Sequence, residues 1–151
     1  SLLAEKGYMR YEVSNFCKKG FESRHNLNYW KRGEYVGLGV SASSFFSGRR
    51  LLNTLDLDEY MKCILSGFYP VIDSEEVSEK DARFEFVMLG LRTVYGVSAA
   101  EYKKAFGTEW KEDFSRAYQK TKEYLSEEGD VTRIKDEYLY VQNAILSEYA
   151  E

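Results

Sequence analysis

The chain has one histidine, two cysteines and one proline among its 151 residues, and no long apolar run. Each scarcity excludes something. Cys17 and Cys63 stand far apart and in no metal-ligand spacing, which argues against a disulfide framework, a zinc site and a complete iron–sulfur site; two free thiols are expected. With His25 alone, no pair of histidines from one chain can share a metal. No stretch approaches the roughly 18 to 20 apolar residues that cross a bilayer. The opening Ser-Leu-Leu-Ala-Glu-Lys is not a signal peptide, so the expectation is a cytoplasmic chain without a transmembrane segment. Catalytic triads, a P-loop and a dinucleotide fingerprint are missing. Pro70, the only proline, marks a boundary.

What is present is globular in kind. Hydrophobic residues make up 44% and charged residues 30%, and the aromatic share of 16% rests largely on 13 Tyr, so a packed core is expected. The length suits one ordinary domain, or a small domain with a piece of another. The net charge of −4 is uneven: residues 1–70 carry 10 Lys/Arg against 7 Asp/Glu (+3), and residues 71–151 carry 11 against 18 (−7). The two halves are expected to face different partners.

Tyr8 to Val13 and Tyr35 to Val40 are short, aromatic and β-branched, which predicts two strands with a loop between them. Gly37-Leu38-Gly39 lets the backbone pass close to a cofactor or to another chain segment. Ser44-Phe45-Phe46 and Arg49-Arg50-Leu51-Leu52 flank Ser47-Gly48 as a hairpin. Asp56, with Glu59 three residues on, opens a helix through Leu65 that Gly67 closes. Residues 71–79, acidic and weakly patterned, suit a linker or exposed loop. Ser78 with Asp81 starts a helix to Tyr95 that is apolar on nearly every side, the pattern of a buried helix. Ser98 to Glu101 is a capping box for a short helix ending at Gly107, and Thr108 opens a longer one to about Glu128, stopped by Gly129. Val131 to Ile134 and Tyr138 to Val141 are expected to pair around Lys135-Asp136-Glu137, before a last helix near Asn143 to Tyr149. Helix, helix, helix, hairpin, helix is the order of a winged-helix domain.

A winged helix raises nucleic-acid binding, which draws on Lys/Arg neutralising phosphates. The third helix sets Lys111, Arg116, Lys120 and Lys122 against Glu109, Glu112, Asp113, Glu123, Glu127 and Glu128. Protein docking or a lid role fits that balance better, and nucleic acid is not an expected partner. Arg24 to Arg50 instead holds five Lys/Arg and one Glu, with Tyr29, Trp30, Tyr35, Phe45 and Phe46. A cationic aromatic surface suits an anionic planar ligand such as a porphyrin, since guanidinium groups pair with propionates while rings stack on the macrocycle. Single-stranded nucleic acid would also suit it, and the plainer alternative is core aromatics with a solvated charged rim. His25 has two readings: a neutral-imidazole ligand to haem iron, or a hydrogen-bonding or capping residue of a loop. As a ligand it would leave the sixth position to Tyr, Met, Cys, water or a partner.

Several segments carry a family resemblance. Tyr11-Glu12-Val13-Ser14-Asn15-Phe16 is similar to Tyr-Glu-Ile-Ser-Asn-Phe, and Arg24 to Trp30 contains His-Asn-x-x-Tyr-Trp. Gly48-Arg49-Arg50 with Asn53 continues the pattern, and Phe84 to Arg92 resembles the start of a C-terminal domain. Together they cover almost the whole chain, which resembles the distal part of a radical-SAM protein of the HemW type, related to the oxygen-independent coproporphyrinogen III oxidases. Where that type usually reads Gly-Ala-His-Ser, this chain has Ser41-Ala42-Ser43-Ser44. Gly37 to Ala42 looks more like the coproporphyrinogen dehydrogenase branch.

The resemblance implies a mixed α+β or α/β fold: the last strands and helices of a partial radical-SAM (β/α) barrel over residues 1–70, then a winged-helix-like C-terminal domain over 71–151. It implies a 4Fe-4S cluster and S-adenosylmethionine in a full-length parent; the Cys-x-x-x-Cys-x-x-Cys motif is not in this sequence, so the chain alone is not expected to cleave S-adenosylmethionine. It further implies haem binding and delivery to a recipient haem protein or respiratory-chain component. His25 is then the candidate iron ligand, with Arg24, Asn26, Tyr29 and Trp30 as haem contacts and Glu12, Gly37, Gly39 and Ser43 as barrel-edge contacts to a cofactor or substrate. The alternatives are a fragment of a coproporphyrinogen III oxidase of porphyrin biosynthesis, and a winged-helix adaptor for nucleic acid or protein.

Overall fold

The computed structural model describes residues 2–150. Packing divides them into two compact units, one drawn from the segment up to Arg32 and from Lys80 onward, the other Gly33–Glu79. This cut differs from the division at residue 70, because the first 32 residues group with the C-terminal part of the chain.

The opening segment contributes a short helix α1 (Leu2–Glu5), the antiparallel pair β1 (Met9–Arg10) and β2 (Phe16–Cys17), and helix α2 (Arg24–Trp30). The loop expected around His25 is therefore a helix. Ser23 supplies the reason: its backbone is extended and its hydroxyl accepts the Asn26 amide at 3.3 Å, an N-cap that lets the following residues coil despite two asparagines.

The unit Gly33–Glu79 is built on β3 (Ser43–Phe46), β4 (Arg49–Asn53), α3 (Leu57–Leu65) and β5 (Val71–Glu76). The sheet is antiparallel in the order β3-β4-β5. The expected hairpin at Ser47-Gly48 is present, both residues at positive φ (49° and 71°), as a two-residue turn matched to strand twist requires. Helix α3 starts as predicted, with Asp56 accepting the Glu59 amide at 2.8 Å. Two expectations change here. Of Tyr35 to Val40 only Tyr35 pairs, with Phe45, because Gly39 and Ser41 at φ 108° and 62° turn the backbone out of a strand. Residues 71–76 are a strand and not a linker: their acids lie opposite the arginines of β4, Arg49 facing Glu76 and Arg50 facing Glu75, so cross-strand charge pairing replaces the missing apolar alternation.

Beyond this unit come α4 (Glu79–Leu91), β6 (Val97–Ser98), α5 (Ala99–Phe106), α6 (Trp110–Asp113), α7 (Ser115–Thr121), β7 (Leu125–Glu128), β8 (Val131–Ile134) and α8 (Gln142–Ser147). The sheet order is β6-β8-β7, all antiparallel. Ser98 caps α5 through the Glu101 amide, and Gly107 ends it in the left-handed region, both as the sequence predicts. The long helix expected from Thr108 to Glu128 is broken at Phe114 (φ −113°, ψ 34°) and ends before a strand. Gly129 is not a helix stop but, with Asp130, the two-residue turn between β7 and β8, whose register pairs Glu128 with Val131. The hairpin expected around Lys135 to Glu137 is displaced accordingly, and Asp136–Val141 is a 3-10 turn.

The core gathers Val87 and Leu91 of α4, Tyr102 of α5, Trp110 of α6, Leu125 and Ile134 of the sheet, and Ile145, Leu146 and Tyr149 at the C-terminal end. Trp110, Tyr102 and Tyr149 are fully buried, and each such ring contributes on the order of 2–3 kcal/mol by leaving water. One carboxylate ties the helices together. Asp113 accepts from Tyr102 and Thr108 at 2.7 Å each and from Arg83, which also donates to Thr108 (2.6 Å) and to the Phe106 carbonyl (3.2 Å). Burial works against the Asp113 charge, but hydrogen bonds from Thr108, Tyr102 and Arg83 outweigh it and hold the carboxyl below the ordinary aspartate range. Burial and the bond to Asp113 push the Tyr102 phenol up.

The opening segment is bound to this core by the backbone bridge between Glu12 and Thr93 and by the Arg32–Glu85 ion pair at 3.0 Å.

Two outcomes follow for stability. Asp113→Asn is expected to lose roughly 1–3 kcal/mol at neutral pH. Since the folded carboxyl titrates below its unfolded value, its contribution is present above the unfolded range and lost as pH falls through the folded one; in urea unfolding the gap between variant and wild type narrows on acidification. Gly96 sits at φ 66°, where a Cβ would overlap the Thr132 carbonyl and stand 2.7 Å from Val131 Cγ1. Gly96→Ala should therefore cost more than about 2 kcal/mol, whereas Gly107→Ala, strained only in its backbone, should cost about 1 kcal/mol; thermal unfolding of the pair checks this.

Candidate functional site

Helix α2 distributes its residues over three faces, because positions four apart fall one above the other. His25 and Tyr29 share the exposed face. The Tyr29 hydroxyl and His25 Nε2 lie 2.9 Å apart, and the rings meet edge-on at 4.7 Å between centroids. The imidazole is thus oriented by its own helix and open to solvent, with Arg24, also exposed, beside it in sequence.

Asn26 and Trp30 share the second face. They line a cleft of about 230 Å³ with Tyr29, Glu12, Ser14, Asn15 and Leu89. Asn26 Nδ2 also donates to the hydroxyl of buried Tyr11 at 3.5 Å, which joins the Tyr-Glu-Val-Ser-Asn-Phe and His-Asn-x-x-Tyr-Trp segments in space. Glu12 itself is 1% exposed. The third face carries Leu27 and Lys31, which with Trp30 line a larger cleft of about 580 Å³ against Phe86, Tyr95 and the β7–β8 turn. At the acidic end of that cleft Asp130 takes hydrogen bonds from the Ser98 hydroxyl and the Ala100 amide, and these hold its carboxyl below the usual range. Burial, with Glu22, Cys17 and Tyr11 nearby, pushes the Tyr95 phenol up.

The structure thus brings His25 to Tyr29, and Tyr29 in turn lines the small cleft together with Trp30. Gly37, Gly39 and Ser43 belong to the unit Gly33–Glu79. There the glycine step accommodates chain, since a Cβ on Gly37 would overlap the Ser43 carbonyl. Asn53, buried in the same unit, donates from Nδ2 to the Gly37 and Gly39 carbonyls at 3.3 and 2.9 Å, and Tyr60 receives the Gly39 amide at 3.0 Å. Asn53 stood in the sequence only as part of a family pattern, and nothing local announced Tyr60.

Cys17 and Cys63 are free thiols in different units, and among the described residues no three His, Cys, Asp or Glu side chains gather to hold a metal ion. Burial and the Glu22 charge push the Cys17 thiol up. These cysteines do not fit a 4Fe-4S cluster. Among the basic residues of the C-terminal part, Lys111 pairs with Glu127 at 2.7 Å and Lys103 with Glu109 at 2.7 Å. No described helix is long and apolar enough to cross a membrane.

Comparison with known proteins adds to this geometry. Residues 77–137 match the family described as the HemN C-terminal domain. The heme chaperone HemW of Bacillus subtilis is 36% identical over 107 residues, 71% of this chain and 28% of that protein. That of Lactococcus lactis is 39% identical over 105 residues, 70% and 27%, and that of Escherichia coli 33% identical over 103, 67% and 27%. The chain spans less than a third of the length of these relatives. The solved structure of the radical-SAM enzyme coproporphyrinogen III oxidase (HemN) from Escherichia coli superposes with a TM-score of 0.73, covering 98% of this chain and 38% of the enzyme. At 13% identity that likeness concerns the fold, which is the mixed α/β arrangement expected. On the sequence relatives, the matched domain and the shared fold together, the chain belongs to the HemW-like radical-SAM family, related to the oxygen-independent coproporphyrinogen III oxidases.

Proposed function

We propose that this chain is the haem-presenting portion of a HemW-like haem chaperone, which holds haem in the cytoplasm for transfer to a recipient haem protein or respiratory-chain component. The observation that carries the reading is the exposed imidazole of His25, oriented on a capped helix, in a chain whose curated relatives are named heme chaperones. Haem is cargo here. Its iron accepts a neutral imidazole nitrogen, and His25 Nε2 is held toward solvent by the Tyr29 hydroxyl alone, a bond that iron would replace. Arg24, one residue away, offers a guanidinium to a propionate, and Tyr29 offers its ring to the macrocycle edge. Trp30 and Asn26 hold the helix from its other side.

Residues 71–151, apart from the strand β5 that pairs with β4, are read as a winged-helix-like domain. The order helix, strand, three helices, hairpin and the sheet order β6-β8-β7 support that assignment. Residues 1–70 are read as the distal part of a barrel. In a longer parent a 4Fe-4S cluster and S-adenosylmethionine would be held outside these residues. Porphyrinogen decarboxylation is the weaker reading, since the coproporphyrinogen oxidase likeness is one of fold at 13% identity, whereas the chaperones share up to 39% of sequence.

Haem titration followed by the Soret band tests the proposal. His25→Ala is expected to shift the band and to weaken binding by about tenfold or more, the scale at which even outer-shell partners of a metal ligand act. Identical spectra and affinities for the two proteins would remove His25 from the iron and this reading with it.

A further inference from the structure

Glu12 is the one fully buried acidic side chain among the described residues, and the fold does not neutralise it. Its Oε2 accepts a single long hydrogen bond from the Ser14 amide at 3.4 Å, and its Oε1, shut off from solvent, has no partner. Neighbouring guanidinium groups do not pair with its side chain. Arg10 reaches the Glu12 backbone carbonyl (3.3 Å) and the Asp136 carboxylate (3.4 Å), not the Glu12 side chain. Arg92, beside the residue bridged to Glu12, donates from Nη2 to Asn143 at 3.5 Å, and its buried Nε has no partner and does not reach the Glu12 carboxylate. An unpaired carboxylate out of water is among the costliest features a fold can carry. Groups left so in a native structure call for a partner.

The walls of the cleft over Glu12 indicate what that partner is. Ser14, Asn15 and Asn26 bring oxygen acceptors, Tyr29 and Trp30 bring aromatic rings, and Glu12 is the only charged side chain lining it. Oxygen acceptors, one carboxylate and an indole are the surroundings that an alkylammonium group selects, through charged hydrogen bonds and through attraction of the cation to the ring. The volume, about 230 Å³, exceeds what one water needs and falls short of a drug-sized pocket, so it suits a head group on a short chain.

We propose that this cleft binds an alkylammonium group, its N–H donors directed to Glu12 and its methylenes against Trp30. The ligand is chemically distinct from haem, which brings carboxylates and iron and no ammonium, so the site stands or falls separately from the haem reading. The ammonium belongs either to a free amine or to a lysine side chain of another polypeptide segment.

The test uses the chain itself, with NMR of the Trp30 indole and the Asn26 side-chain amide. Propylammonium chloride is titrated against sodium chloride at equal ionic strength. Saturable shifts confined to the cleft are expected with the amine, weakened at least tenfold in Glu12→Gln. Should that variant not fold, Trp30→Leu carries the test, with an expected loss of about threefold. Shifts equal for sodium and amine overturn the proposal, as do shifts equal for wild type and a folded Glu12→Gln. So does the complete absence of shifts, which a Glu12–Arg92 pair formed in solution would produce. Repeating the titration with Nα-acetyl-lysine methylamide separates the sources: tighter binding than propylammonium assigns the site to a lysine side chain, weaker binding to a free amine.

Discussion

The carboxylate of Asp113 gathers donors from Arg83 on α4, Tyr102 on α5 and Thr108 in the connection that follows, and so fixes three helical elements with one charge. Around that point the aromatic rings have little freedom. Phe86, Tyr102 and Phe106 meet one another at centroid distances of 4.7 to 5.8 Å, and the Arg83 guanidinium lies over Phe106 at 5.3 Å. A charge in this position is tolerable because every donor that reaches it is itself held by packing. The same α4 that supplies Arg83 supplies Glu85 to Arg32 and ends near Thr93, the partner of Glu12. The order imposed at Asp113 thus reaches α2 along one helix.

Helix α2 converts a short stretch of chain into three separate functions. One face shows an imidazole to solvent, one closes a small acidic cleft and one walls a larger cleft with charges of both signs. Functional side chains on a helix of seven residues are positioned by its neighbours, not by the helix alone, because so short a helix is not stable in isolation. The Asn26–Tyr11 contact and the Arg32–Glu85 pair are such supports.

What could be read in the sequence was what depends on neighbouring residues. The caps at Asp56 and Ser98, the Ser47-Gly48 turn and the left-handed Gly107 follow from residue chemistry within four positions, and each lies where the pattern put it. Gly129 shows the limit. A glycine after an amphipathic stretch suits a helix end and a hairpin turn equally, and the choice is made by β8 pairing with β6, more than thirty residues earlier. The acidic stretch 71–76 looked solvated because its partner, the basic β4, is not adjacent in sequence. The burial of Glu12 was equally hidden: alternation marks it as facing away from its neighbours but does not say whether water or protein lies there. At α2 the capping hydroxyl of Ser23 is local, but a segment lying between two expected strands suits a loop equally well.

One unit is assembled from two stretches of chain with residues 33–79 intervening. The bridge from Glu12 to Thr93 therefore closes a loop of about eighty residues, and the entropy of closing such a loop grows only with the logarithm of its length, about 0.6 kcal/mol per doubling. Insertions or deletions within the excursion are cheap for the unit that holds α2, whereas changes at its two anchoring ends are not.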